Sequence, residues 1–131
     1  CWPKRGEIDI TDHGGFQPRK VHGTVHTKAF DPSIGTDVGV VKNVSDYNTA
    51  VQTYAIDWTA EKIEFYIDGD KYFTFEKSSD NSKEWPFDQP FHLILNLAVG
   101  GNWGGQKGVD PSIWPQRMEV DYVRIYDQKP F

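Results

Sequence analysis

The chain has one cysteine and one methionine in 131 residues. Cys1 has no second cysteine to meet, so no disulfide can close within the chain and cysteine usage carries no redox information. Beyond His22 and His26, no further His or Cys completes a ligand set, so zinc is not expected. No apolar run approaches the ~20 residues of a membrane span. The 14 basic residues are scattered and outnumbered by 19 acidic ones, for a net charge of −5. That balance lacks the clustered positive charge of a nucleic-acid binder. Internal repeats, low-complexity tracts and linker-like stretches are missing too. The opening Cys1-Trp2-Pro3-Lys4-Arg5 is neither a signal peptide nor an initiator sequence, which leaves the compartment open.

What the chain does have is aromatic residues, 15% of the total, together with 12 Gly and 8 Pro. This favours short strands joined by turns. Val21 to Thr27 is rich in β-formers, Val38 to Val41 follows Gly35, and Thr53 to Trp58 alternates aromatic with aliphatic residues. Lys62 to Ile67 and Tyr72 to Phe75 flank Asp68-Gly69, a strong hairpin signal. The run 91–99 is nearly all apolar, broken by His92 and Asn96, and a Gly-rich loop follows to Pro115. Met118 to Tyr126 alternates again. Eight or so short strands and no convincing helix predict an all-β sandwich, with residues 1–131 forming a single domain.

Glu7-Ile8-Asp9-Ile10-Thr11-Asp12 places three carboxylates in six residues of a strand-like segment. Glu7 and Asp9 share one face while Ile8 and Ile10 share the other. Asp12, five residues from Glu7, falls on the isoleucine face of a regular strand. One extra residue, a β-bulge around Ile10-Thr11, would return it to its fellow acids. A solvated acidic face accounts for such a repeat without any function. Paired carboxyls facing one bond are, however, the machinery of glycoside hydrolysis.

With Trp2-Pro3, Gly6 to Ile10, Val21 to His26, Tyr54 to Trp58, Trp85 to Phe91, Leu95 to Trp103 and Met118 to Tyr126, the chain resembles glycoside hydrolase family 16. The likeness is to its laminarinase-like β-1,3-glucanases and covers nearly the whole chain. The resemblance implies a β-jelly roll of which only the C-terminal half is present, incomplete on its N-terminal side. It implies Glu7 as nucleophile, Asp9 as the residue tuning it, and Asp12 as acid/base. The family motif ends in Glu, so Asp12 is a departure. A side chain one C–C bond shorter, ~1.5 Å, can cost about a hundredfold in rate. Its lower reference pKa, about 3.9 against 4.3, is also unhelpful to an acid working near neutrality.

The resemblance further places Trp2 and Trp103 beside the cleft, where indoles suit the C–H faces of sugars. Packing in the core is the alternative for both, and the expected role of Trp58 and Trp85. Asn96 interrupts an aliphatic run and reads either as a substrate contact or as a buried amide bonded to backbone. His26 is a candidate contact to sugar or to the carboxylates, with a structural histidine as the alternative. Asp121 sits where the family often has a calcium ligand, although the other ligands come largely from the missing half, so no cofactor is required and a structural calcium is optional. The expected activity is endo-hydrolysis of β-1,3-glucan by a secreted protein, with no nucleic-acid or membrane partner. A catalytically silent glucan-binding module is the other reading. So is a half-domain that pairs with a complementary N-terminal half or with itself.

Overall fold

A computed structural model of the chain describes residues 2–128. The described residues contain six strands: β1 (Glu7–His13), β2 (Lys20–His26), β3 (Val38–Asn43), β4 (Tyr54–Trp58), β5 (Lys62–Ile67) and β6 (Asp70–Glu76). They form two three-stranded antiparallel sheets, ordered β1-β2-β3 and β4-β5-β6. The chain divides into two compact units, one ending at Phe91 and the other beginning at His92. All six strands lie in the first.

Alternation along β2 shows how the first unit is built. Val21, Gly23 and Val25 are buried, while His22, Thr24 and His26 face the other way. Val25 joins Ile63, Phe65, Phe73 and Phe75 of the second sheet, and Trp85 and Phe87 beyond it, in one core. Val21, Val44 and Ile67 form a smaller cluster beside it. Aromatic rings fill the core, Trp85 meeting Phe87 edge to face (5.3 Å, 85°) and stacking on Phe75 (5.7 Å, 8°). Gly23 is needed where the sheets approach, because a Cβ there would strike the Tyr72 hydroxyl and the Phe65 ring. The β5–β6 hairpin turns on Asp68 and Gly69, both at positive φ (51° and 86°), as a two-residue turn of this hand requires. It is tighter than the sequence suggests, with Ile67 already pairing with Asp70.

Trp85 is core, as expected. Trp58 is at its edge: the indole N–H donates to the Phe87 carbonyl at 3.0 Å and the ring meets Phe91 edge-on.

The second unit departs from expectation. The apolar run 91–99 and the alternating stretch 118–126 count toward the eight or so expected strands, yet neither forms one among the described residues. Ile94 is 70% exposed and Ile125 85%. The reason is that a strand is a relation between two segments: apolar periodicity makes a segment competent to pair, and a neighbour's ladder of N–H and C=O groups makes it a strand. This unit's regular structure is a 3₁₀ turn, Pro111–Ile113, capped by Asp110 accepting from the Ser112 N–H at 2.8 Å.

Candidate active site

β1 leaves its regular register between Asp9 and Asp12. Asp9 is opposite Thr24 and Asp12 opposite His22, so three steps along β1 match two along β2. This is the bulge expected at Ile10-Thr11, and it returns Asp12 to the side of the sheet carrying Glu7 and Asp9. The local sequence supports this: Ile8 packs on the core, while Thr11 is exposed at the irregularity. Just upstream, Gly6 has φ +80°, and a Cβ there would press on Pro86 and Phe87. The entry to the motif is thereby fixed against the core.

Side chains from three segments converge on these acids. Glu7 is the cross-strand partner of His26. Oxygens of Glu7 and Asp9 and a ring nitrogen of His26 all lie within 4.8 Å of one another. His26 Nε2 is 2.9 Å from Asp9 Oδ2. The Trp2 indole N–H donates to Glu7 Oε2 at 2.5 Å, and the Trp2 ring leans on His26 with centroids 5.9 Å apart. Trp2 itself is 58% exposed, so it borders the site rather than the core.

The electrostatics separate the acids. Burial pushes Asp12 up from 3.8 to about 6, and the nearby charges of Asp9 and Glu7 push the same way, while His26 pulls back. The low reference value of Asp, a drawback on sequence grounds, is therefore overridden by its surroundings. His26 is raised above its usual value by the hydrogen bond to Asp9, against burial, with the charges of Asp9, Glu7 and Asp37 adding to the rise. Asp37 was not singled out from sequence. Val25 pairs with Val38 at the end of the β2–β3 ladder, and Asp37 immediately precedes that pair. His22 is a separate matter: its Nε2 lies 3.0 Å from Gln17 Oε1, and burial lowers its pKa.

The remaining candidates lie in the second unit. Trp103, in the turn after Gly100-Gly101, is 43% exposed. Asn96 is exposed, so the buried amide that the aliphatic run implied is absent. Asp121 is exposed as well. Calcium wants six or more oxygens, and among the described residues no cluster of three acidic or His side chains includes Asp121.

The β-sandwich gathers three carboxyls on one bulged strand, one of them held up toward neutrality, and paired carboxyls are the groups that glycoside hydrolysis uses. The sequence model of glycosyl hydrolases family 16 matches residues 3–124, and the chain belongs to that family. A β-glucanase of Rhodothermus marinus is 52% identical over 130 residues, covering 95% of this chain and 46% of its own length. The X-ray structure of the laminarinase from Rhodothermus marinus matches with a TM-score of 0.83 and 50% identity, over 87% of this chain and 47% of the other. A glucan endo-1,3-β-glucosidase of Cryptopygus antarcticus is 36% identical over 135 residues, 94% of this chain and 50% of its own length. The chain thus spans about half the length of the relatives it matches.

Proposed function

We propose that this chain carries the catalytic carboxyls of a retaining, endo-acting β-1,3-glucanase of laminarin-type polysaccharide. The bulge that sets Asp12 beside Glu7 and Asp9, in surroundings that raise its pKa to about 6, is the observation that supports this reading. An acid/base of this mechanism must hold a proton in one step and release it in the next, which a pKa near working pH allows. Glu7 attacks the anomeric carbon, while Asp12 gives its proton to the departing glycosidic oxygen. A glycosyl–Glu7 ester results. Asp12, now a carboxylate, takes a proton from water, whose oxygen displaces Glu7 and restores the starting configuration. The Trp2 N–H occupies Glu7 Oε2 and leaves the other carboxylate oxygen to attack.

The names of the relatives supply the substrate class: a β-glucanase, a laminarinase and a glucan endo-1,3-β-glucosidase. A polymer of this kind does not enter a cell intact, so the protein works outside it. The chain spans about half the relatives' length. No cofactor enters the chemistry.

The test is hydrolysis of laminarin by the chain extended to its relatives' length, with product anomers followed by proton NMR. Glu7→Gln should abolish turnover, because an amide cannot serve as the nucleophile, and the parent's first product should keep the β configuration. First products of the α configuration, or an active Glu7→Gln, would overturn the mechanism. Laminarin bound but never cut by the parent would identify a silent glucan-binding module instead.

A further inference from the structure

Two bulges, one in each sheet, meet at Gly23. On β1, Ile10 and Thr11 together face this one residue, since Asp9 pairs with Thr24 and Asp12 with His22. On β6, Phe73 pairs with Phe65 and Lys71 with Tyr66, so Tyr72 is the extra residue. A bulge re-aims a side chain, and this one turns Tyr72 inward beside Phe73, where its ring packs against both core clusters. Phe65 braces that ring edge-on, with centroids 6.3 Å apart and 69° between the planes. The Tyr72 hydroxyl ends where Gly23 lacks a side chain: a Cβ there would lie 2.3 Å from it. That hydroxyl is buried and has no hydrogen-bond partner among the described residues. Folding alone would favour phenylalanine at this position, since an unmatched buried O–H is destabilising. What the oxygen adds is its contact with the β2 backbone.

We infer that Tyr72 is a positioning residue of the site: from behind the sheet it holds β2 at Gly23, and through Gly23 it supports the β1 bulge that brings Asp12 to the face of Glu7 and Asp9. The residues on either side of Gly23, His22 and Thr24, are the ladder partners of Asp12 and Asp9. A shift of the β2 backbone at Gly23 is therefore passed to both acids. Tyr72 touches no reacting atom, because it approaches β2 from the core side while the carboxyls occupy the other. The inference rests on the reading of Asp12 as acid/base for its catalytic consequence, and on the two strand registers alone for its mechanical one.

Exchanging the hydroxyl for a methyl on the other side of the contact tests this, in the chain extended to its relatives' length. Tyr72→Phe keeps the ring and removes the oxygen. It should melt no earlier than the parent, yet lower kcat about threefold to tenfold with KM within about twofold, as expected for a misplaced acid whose support binds no substrate. The Asp12 midpoint, read by carboxyl-¹³C NMR titration, should fall from about 6 as the relaxed bulge admits water, because burial is the main cause of its height. Gly23→Ala, whose methyl meets the hydroxyl, should lower kcat about tenfold or more. The double variant should recover kcat to within about threefold of the parent, since the methyl takes the place of the missing oxygen and the two effects are coupled. If Gly23→Ala alone does not fold, a folded and active double variant is the same rescue. An Asp12 midpoint and a kcat unchanged in Tyr72→Phe overturn the inference, whatever happens to its Tm, because that is what a purely structural tyrosine would give. A double variant no better than Gly23→Ala also overturns it. Failure of the catalytic reading is seen separately, as persistent turnover by Glu7→Gln, and leaves the Asp12 titration to decide the mechanical one.

Discussion

Replacing Asp12 with asparagine should stabilise the fold above pH 6 while removing its acid. Asp12 rises from 3.8 to about 6 on folding, with burial as the main cause and the charges of Asp9 and Glu7 next. A group whose pKa is higher folded than unfolded favours the native state fully below the unfolded value, here 3.8, and loses that contribution as pH climbs through about 6. For an isolated group the loss would be about 3 kcal/mol. Solvent still reaches this half-buried carboxyl, and screening reduces the figure to about 1–2 kcal/mol. Asparagine has the same shape, carries no charge at any pH, and so escapes the penalty. Asp12→Asn should therefore gain about 1–2 kcal/mol over the parent at pH 8, a rise in Tm of about 3–8 °C. At pH 3.5, where Asp12 is mostly protonated in both states, the gain should vanish. Tryptophan fluorescence melts of the two proteins at pH 3.5, 6 and 8 measure the difference. A stability difference that is flat across this range would refute the argument. So would an asparagine variant weaker than the parent at pH 8, since the site would then be built to favour ionised Asp12.

Asp12→Glu lengthens the acid by ~1.5 Å toward the reach of the family motif, and should raise laminarin turnover about tenfold to a hundredfold in a chain of the relatives' length. A slower enzyme would mean that the bulge and its neighbours are fitted to the shorter side chain. Trp103→Ala should weaken binding of β-1,3-glucan oligosaccharides by about 1 kcal/mol, roughly fivefold in Kd. Unchanged affinity in titration calorimetry would make Trp103 a structural residue. The exposed Leu93, Ile94, Leu95, Leu97, Tyr122, Val123 and Ile125 should drive the 131-residue chain to self-associate at micromolar concentrations. Light scattering behind a sizing column reads this directly, and a monodisperse monomer would contradict it.

Local rules were enough to reach much of this protein from its sequence. The alternation of Val21, Gly23 and Val25 against His22, Thr24 and His26 assigns the two faces of β2, and Asp68-Gly69 fixes the hairpin. The odd spacing from Glu7 to Asp12 requires a bulge if the acids are to share a face, and the β1 register contains it. Each of these features depends on neighbours a few residues away. The tertiary structure decided the rest, since it depends on groups distant in sequence. Asp12 became a stronger holder of its proton than any aspartate in water because burial and two carboxylates surround it. His26 turned to Asp9 and Trp2 to Glu7 because antiparallel pairing and the approach to β1 bring those atoms together. Residues 91–99 and 118–126 have the apolar pattern of strands without the ladder of one. Periodicity is written in a single segment, but a strand's hydrogen bonds belong to two.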